Sequence, residues 1–370
     1  MEEKVSSKSK MRILFWVPYP KEGQSNRFRV EQYLPYLDAE GIGYSLRPFV
    51  SSEFYRILYQ PGRFLSKVYF FIKSSLRRII DLFSISKYDL IFVHREAFPF
   101  GPPFFEILSS RLFNKPLIYD FDDAIFLEER SEANRAISFL KNPGKIARII
   151  SFSERVIVGN DYLKEYAQRF NKNITVIPTP VDKEKYKQLN SSKKDRIVVG
   201  WIGSHSTAEY LLELKDVFQK LKKENPDIVI RLIGAEKYRE QLPLTECRAW
   251  KLEDEIIELS SFDIGLMPMP DNPWTRGKCA FKLLLYMSMG IPAVCSPVEM
   301  NKEIIKDGEN GFLASSPEEW LEKIQFLINS LDLRRKIGFE GRKTAEKKYD
   351  LRLWAPVFIE VLKEAVKGEG

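Results

Sequence analysis

Histidine and cysteine are scarce in this 370-residue chain: two of the first, three of the second. With only His94 and His205, an HExxH metal helix cannot form, and imidazole chemistry has just these two candidates. Cys247, Cys279 and Cys295 form no CxxC pair and are too few to close a disulfide framework, which points to a reducing compartment. No run of about 18 uninterrupted apolar residues exists, so a spanning helix is not expected. Residues 1–10 are charged and lack the apolar segment of a signal peptide, so they read as a flexible tail. Low-complexity tracts and short repeats are absent, and 44% apolar with 13% aromatic residues excludes disorder along the whole chain.

What is present is a basic chain, 58 Lys+Arg against 51 Asp+Glu, net +7. That balance admits nucleic acid, an anionic membrane surface, or a phosphate-bearing small molecule as partner. Nucleic acid is the weakest of the three, because +7 on this length is modest and no recognised nucleic-acid motif occurs.

Short β-branched runs alternate with helix-length amphipathic stretches, as in a parallel sheet covered on both faces. Arg12-Ile-Leu-Phe-Trp-Val17 opens the first series, followed by a helix over 27–37 and strands near 90–94, 116–120, 155–158 and 174–177. After Pro178-Thr-Pro180 and a Lys- and Ser-rich connector, Arg196-Ile-Val-Val-Gly200 opens a second series, with strands near 228–233, 263–267 and 292–295. The pattern predicts two Rossmann-like, doubly wound domains facing a cleft. The expected division is a tail at 1–10, a first domain at 11–182 with a helix from 350–366, a linker at 183–195, and a second domain at 196–349.

Gly200-Trp-Ile-Gly203-Ser-His-Ser-Thr207 joins a strand to a helix, where backbone N–H groups and a positive dipole end favour phosphate. Capping alone also explains its hydroxyls. Further on, Asn272-Pro-Trp-Thr-Arg-Gly-Lys-Cys-Ala-Phe-Lys282 feeds the helix Leu283-Leu-Leu-Tyr-Met-Ser-Met289, with Gly290 as its cap. Lys278 and Lys282 stand four apart, which would aim both across one helix face. Two cations at a helix N-terminus oppose its dipole unless an anion sits between them, which suggests a diphosphate.

This stretch, with Val176-Ile-Pro-Thr-Pro-Val-Asp182 and Gly308-Glu-Asn-Gly-Phe-Leu313, resembles the retaining GT-B glycosyltransferases of family four, the group 1 family. Residues 12–17, 89–96 and Tyr119-Asp-Phe-Asp-Asp-Ala124 are similar to the acceptor domain of that family, so the resemblance covers 11–366. It implies a GT-B fold whose last helix crosses back to the N-terminal domain. It also implies retaining, metal-independent transfer of a sugar from a nucleotide-diphosphate donor to a glycan, lipid-linked or small-molecule acceptor. Such work belongs to polysaccharide biosynthesis in the cytoplasm, in places at the inner face of a membrane. No cofactor is implied beyond the nucleotide-sugar substrate. Donor-binding positions would be Gly23, Gly203, Ser204, His205, Ser206, Gly234, Arg276, Lys278, Lys282 and Glu303.

The chain departs from the family at a pair of glutamates spaced eight apart that contact ribose and sugar: Gly277 and Leu285 stand there. That departure motivates a second reading, a catalytically silent subunit that binds a sugar nucleotide or a partner enzyme. Where many members carry a histidine near the reactive carbon, Asp122 matches. It would hold a hydroxyl, accept a proton or stabilise developing positive charge, unless Asp122 and Asp123 only cap a turn. Asp120-Phe-Asp122 also spells a DxD metal motif, which the GT-B resemblance argues against. The catalytic set is then Asp122, Lys278 and Lys282, with Arg27, Arg29, His94 and Arg95 toward the acceptor; a structural His–Glu pair is an equal explanation for His94 and Glu96.

Residues 63–82 carry Arg63, Lys67, Lys73, Arg77 and Arg78 and no acid before Asp81, interleaved with apolar residues including Phe64, Phe70 and Phe71. The segment reads either as a packed helix with a basic edge or as a helix resting on an anionic membrane.

Overall fold

The computed structural model describes residues 3–4, 11–58, 60, 62–127, 144–187 and 196–367. The chain divides into two units, Met1–Thr179 with Trp354–Gly370, and Pro180–Leu353. Most of the expected linker, 188–195, lies outside the described residues.

The first unit is built on a seven-stranded sheet. Its strands are β1 (Glu3–Lys4), β2 (Arg12–Val17), β3 (Gly43–Pro48), β4 (Leu90–His94), β5 (Leu117–Phe121), β6 (Arg155–Val158) and β7 (Ile174–Val176). The order is β1-β3-β2-β4-β5-β6-β7, parallel throughout except for β1, which runs antiparallel along β3. Residues 3–4, expected as part of a flexible tail, pair instead along the outer edge of β3. Every residue of β4 and β5 is buried, as strands covered on both faces require. The winding reverses between β2 and β4, which pair side by side with β3 on the far side of β2. A reversal of this kind opens a crevice at the carboxyl ends of the strands.

The expected helix over 27–37 is broken into Gln24–Arg29, a 3-10 turn at Glu31–Tyr33 and Leu34–Ala39, because Val30 leaves the helical region at φ −131°. The last helix, Leu351–Lys367, buries Ala355, Phe358, Ile359, Leu362 and Ala365. Phe358 stacks on Tyr33 with centroids 4.2 Å apart and meets Phe92 at 5.5 Å, so this helix belongs to the first unit from Trp354 onward.

The helix Phe64–Phe83 corrects one expectation. Arg78, read as a membrane-surface cation, is 2% exposed. Its guanidinium donates to Ala97 O (2.9 Å), Asp81 (3.1 Å) and Arg47 O (3.2 Å), and lies 5.1 Å over the Trp16 ring. Burial pushes it down to about 10, against the pull of Asp81 and Glu106. Sequence periodicity cannot distinguish a buried, fully partnered arginine from a solvated one.

The second unit carries a six-stranded parallel sheet: β8 (Val198–Ile202), β9 (Val229–Ile233), β10 (Glu246–Arg248), β11 (Ile264–Met267), β12 (Ala293–Cys295) and β13 (Phe312–Leu313). Its order, β10-β9-β8-β11-β12-β13, is the dinucleotide-fold order, with the reversal between β8 and β11. Tyr286 ties those two strands: its hydroxyl accepts from Ile202 N and donates to Leu266 O, both at 3.2 Å.

Candidate active site

In the first unit, the loops after β2, β4 and β5 converge at the reversal point and build a charged cluster. Arg29 donates to both oxygens of Asp120 and, at 2.6 Å, to Ile177 O. Asp120, completely buried, receives His94 Nδ1 at 2.6 Å. On the other side of the ring, His94 Nε2 is hydrogen-bonded to the Ser25 hydroxyl. Ser25 Oγ in turn donates to Asp122 at 3.1–3.2 Å. Arg95 closes the cluster, 2.8 Å from Asp122 and 2.5 Å from Asp123.

Arg95 reaches the two aspartates because its backbone is left-handed at φ +60°, a conformation costing about 1–2 kcal/mol for an L-residue. Bonds from Arg95 N to Asp120 O (2.7 Å) and from the Tyr119 hydroxyl to Arg95 O (2.6 Å) hold it there. Such strain, locked by its surroundings, collects at functional sites. Burial opposes the charge on Asp122, but Arg95, then His94 and Arg29, outweigh it and hold the carboxyl well below the usual range. Asp122 is therefore a standing anion with one edge open to solvent, backed by a Ser–His–Asp–Arg relay.

Of the residues expected toward an acceptor, only Arg95 stands at this edge. His94 is fully buried and acts through Ser25. Arg29 is buried and committed to Asp120, so it positions that carboxylate and is not available to an acceptor. Arg27 is buried as well, its guanidinium 5.0 Å over the Phe28 ring. Glu96 pairs with Lys145 (2.9 Å), not with His94. Gly23 turns the loop: a side chain there would come within 2.5 Å of Tyr19 Cβ. Ser25 was missed by sequence reading, since a serine in a polar loop carries no signal until β4 and β5 bring their ends beside it.

In the second unit the candidate donor residues lie on the loops after β8, β9, β11 and β12. Gly203 and Gly234 meet: Gly234 is at φ +86°, and a Cβ on it would stand 2.1 Å from Gly203 O. Neither position tolerates a side chain, so these two strand ends present bare backbone. Ser204 starts the short helix His205–Ala208, and its hydroxyl pairs with Ser206 (2.9 Å) without capping a backbone N–H.

Lys278 and Lys282 do not share a helix face. The helix runs Phe281–Ser288 and starts after Ala280, which is left-handed at φ +51°, so Lys278 precedes it. Each lysine rests on its own indole: Lys278 Nζ is 5.0 Å from the Trp274 ring and Lys282 Nζ 5.6 Å from Trp201. Arg276 engages Asp271 at 2.7 Å and Glu299 at 3.7 Å. Glu299, at φ +32°, is a further non-glycine residue at positive φ that the sequence did not flag. Glu303 sits exposed on the next helix, Met300–Ile304. Leu285 is buried, so its position offers no slot for a ribose-binding carboxylate.

Comparisons with known proteins address the fold and the second unit. Residues 196–330 match the family described as Glycosyl transferases group 1. Over 56 residues, 15% of each protein, the chain is 43% identical to "Putative glycosyltransferase EpsD" of Bacillus subtilis (strain 168). A glycosyltransferase from Rickettsia africae ESF-5 superimposes with a TM-score of 0.68 at 14% identity, covering 98% of this chain and all of the other. Anabaena HepE, solved with UDP and glucose, gives 0.68 at 17% identity, covering 95% and 99%. A sucrose-phosphate synthase from Thermosynechococcus elongatus gives 0.69 at 13%, covering 96% and 98%. Identities this low speak for the fold alone, and the fold is GT-B. The family resemblance holds directly over 196–330.

Proposed function

We propose that this chain, whose second unit is a group 1 glycosyl transferase domain, moves a sugar from a nucleoside-diphosphate donor to an acceptor hydroxyl with retention of configuration. The observation that carries the reading is the match over 196–330. It is supported by the bare backbone of Gly203 and Gly234 and by two lysines on the loop and helix after β11, at the point where such sheets bind ligands. Lys278 and Lys282 neutralise the charge that builds on the departing diphosphate. With Leu285 buried, Glu299 is the better candidate than Glu303 for a ribose hydroxyl.

In the first unit, Asp122 takes the role nearest the reacting sugar. A carboxylate held this acidic is a poor base, so its task is to bind a sugar hydroxyl or to stabilise oxocarbenium-like positive charge. The acceptor's proton goes instead to the leaving diphosphate, a stronger base than an arginine-bound carboxylate. Departure and attack on one face would retain configuration. Asp120 and Asp122 already have cationic partners, so we propose transfer without a metal. A glycan or lipid-linked acceptor in polysaccharide biosynthesis fits this reading.

The test is a thermal-shift screen of UDP-, GDP- and ADP-sugars, UDP-glucose first, followed by nucleotide release and product anomer by NMR. A stabilising donor with no turnover against any acceptor, and no hydrolysis, would instead favour the silent subunit. Transfer should survive EDTA. Its loss there, with recovery in Mn²⁺ or Mg²⁺, would revive the Asp120/Asp122 metal site.

A further inference from the structure

The helix Phe64–Phe83 has its polarity inverted. Its buried residues are Ser74, Arg78 and Asp81, while large apolar side chains face solvent. Leu65, Tyr69, Ile72, Leu76, Ile80 and Phe83 follow one another at three- and four-residue steps, each more than half exposed and Leu65 and Phe83 82% exposed. At 1.5 Å per residue the stripe runs about 30 Å. Packing does not need it: the helix is fixed by Arg78 and by Phe70 and Phe71, which turn inward. Phe70 stacks on Phe54 at 5.7 Å, and Phe71 meets Phe49 and Phe98, each at 5.7 Å. These two phenylalanines are accordingly not available to a membrane, as the packed-helix reading has it.

One flank of the stripe is cationic. Arg63 and Arg77 are exposed, and Lys73 leans over the Tyr69 and Phe70 rings with its Nζ 5.9 Å from each. Asp81, the sole acid of the helix, is paired with Arg78 and Arg47, so no carboxylate of the helix faces outward. Among the described residues no helix is long and apolar enough to cross a membrane.

We infer that this helix lies flat on an anionic lipid surface, its apolar stripe at the acyl boundary and Lys73 and Arg77 at the headgroups. A second copy of the chain fits less well, because a two-fold contact would set the same cations against each other with no opposing acid. Lipid phosphate meets both requirements, apolar depth and negative charge. The inference stands whether or not the chain transfers sugar.

The experiment is co-sedimentation of the full chain with phosphatidylcholine vesicles, with and without about 30% phosphatidylglycerol to supply the negative surface potential. Binding should be roughly tenfold or more tighter with the anionic lipid and should fall with salt. Lys73→Glu/Arg77→Glu and, separately, Leu65→Glu/Ile72→Glu should each lose roughly tenfold or more, with unchanged circular dichroism and melting. Three outcomes overturn the inference: equal binding to neutral and anionic vesicles, charge reversal without effect, or no binding. A dimer seen by light scattering and dissolved by Ile72→Glu would assign the face to a second copy and overturn it equally.

Discussion

With Arg95 2.8 Å from one oxygen and the Ser25 hydroxyl 3.1 Å from the other, Asp122 keeps its charge at pH values where a free carboxyl is already protonated. Asp122→Asn should therefore lower transfer by about two to three orders of magnitude, the scale of losing a preorganised charge at a reacting centre. It should also cost about 3 kcal/mol of stability at neutral pH, because Arg95 is left without one carboxylate. The sign of the pH dependence follows. The folded carboxyl is more acidic than the unfolded one, so its contribution is full above the unfolded value of about 4 and shrinks as pH falls below it. Denaturant melts of wild type and variant should converge below about pH 4. A gap that stays constant from neutral pH to pH 3 would remove the ionised Asp122 from the account. Asp122, His94 and Arg95 were legible in the sequence because each follows or ends an apolar strand. The relay through Ser25 and Arg29 was not, since it depends on which strand ends become neighbours.

At the scale of elements, the strands that could be read were those buried on both faces, where apolar runs such as 12–17 and 90–94 have no other use. β3 escaped notice because Gly43, Ser45, Arg47 and Pro48 interrupt it. Its Ser45 is buried by accepting from the Tyr88 hydroxyl at 2.9 Å, a partner 43 residues away. β10 and β13, with three and two residues, carry too little pattern to be read. The four-residue spacing of Lys278 and Lys282 misled for a local reason: left-handed Ala280 starts the helix between them. The two lysines then act from separate supports, Trp274 and Trp201. Lys278→Ala and Lys282→Ala should each weaken donor binding by about 1.5–3 kcal/mol, as for a lost charge-assisted hydrogen bond. Combined, their effects should depart from additivity, since both would meet the same diphosphate. Calorimetric titration of the donor checks both points, and unchanged affinity in the two single variants would end the diphosphate assignment.

For the whole molecule, the chain does not map one continuous stretch to each unit. The first unit is completed by residues that follow the whole of the second, and its core includes Phe358 stacked on Tyr33 and against Phe92 of β4. Helical spacing predicts Trp354, Val357, Phe358 and Val361 as the buried face of the last helix; Phe358 and Val361 are buried, with Ala355, Ile359 and Leu362, while Trp354 and Val357 are half-buried. Lys363 to Glu40 (2.6 Å) and Arg155 to Glu364 (3.1 Å) bind its rim, but exposed pairs of this kind contribute little, and the aromatic stack dominates. Removing a buried phenylalanine from a closely packed contact costs about 3–5 kcal/mol. Phe358→Ala should therefore loosen strands more than 250 residues away in sequence, because Phe92 and Tyr33 lose their cover. Hydrogen exchange would read this directly. Protection should fall in β2 and β4 of the first unit, while β8, β9 and β11 of the second unit should exchange as in the wild type. Loss of protection confined to the second unit, whose residues lie nearer to position 358 in sequence, would show that the helix stabilises the wrong half for this assignment.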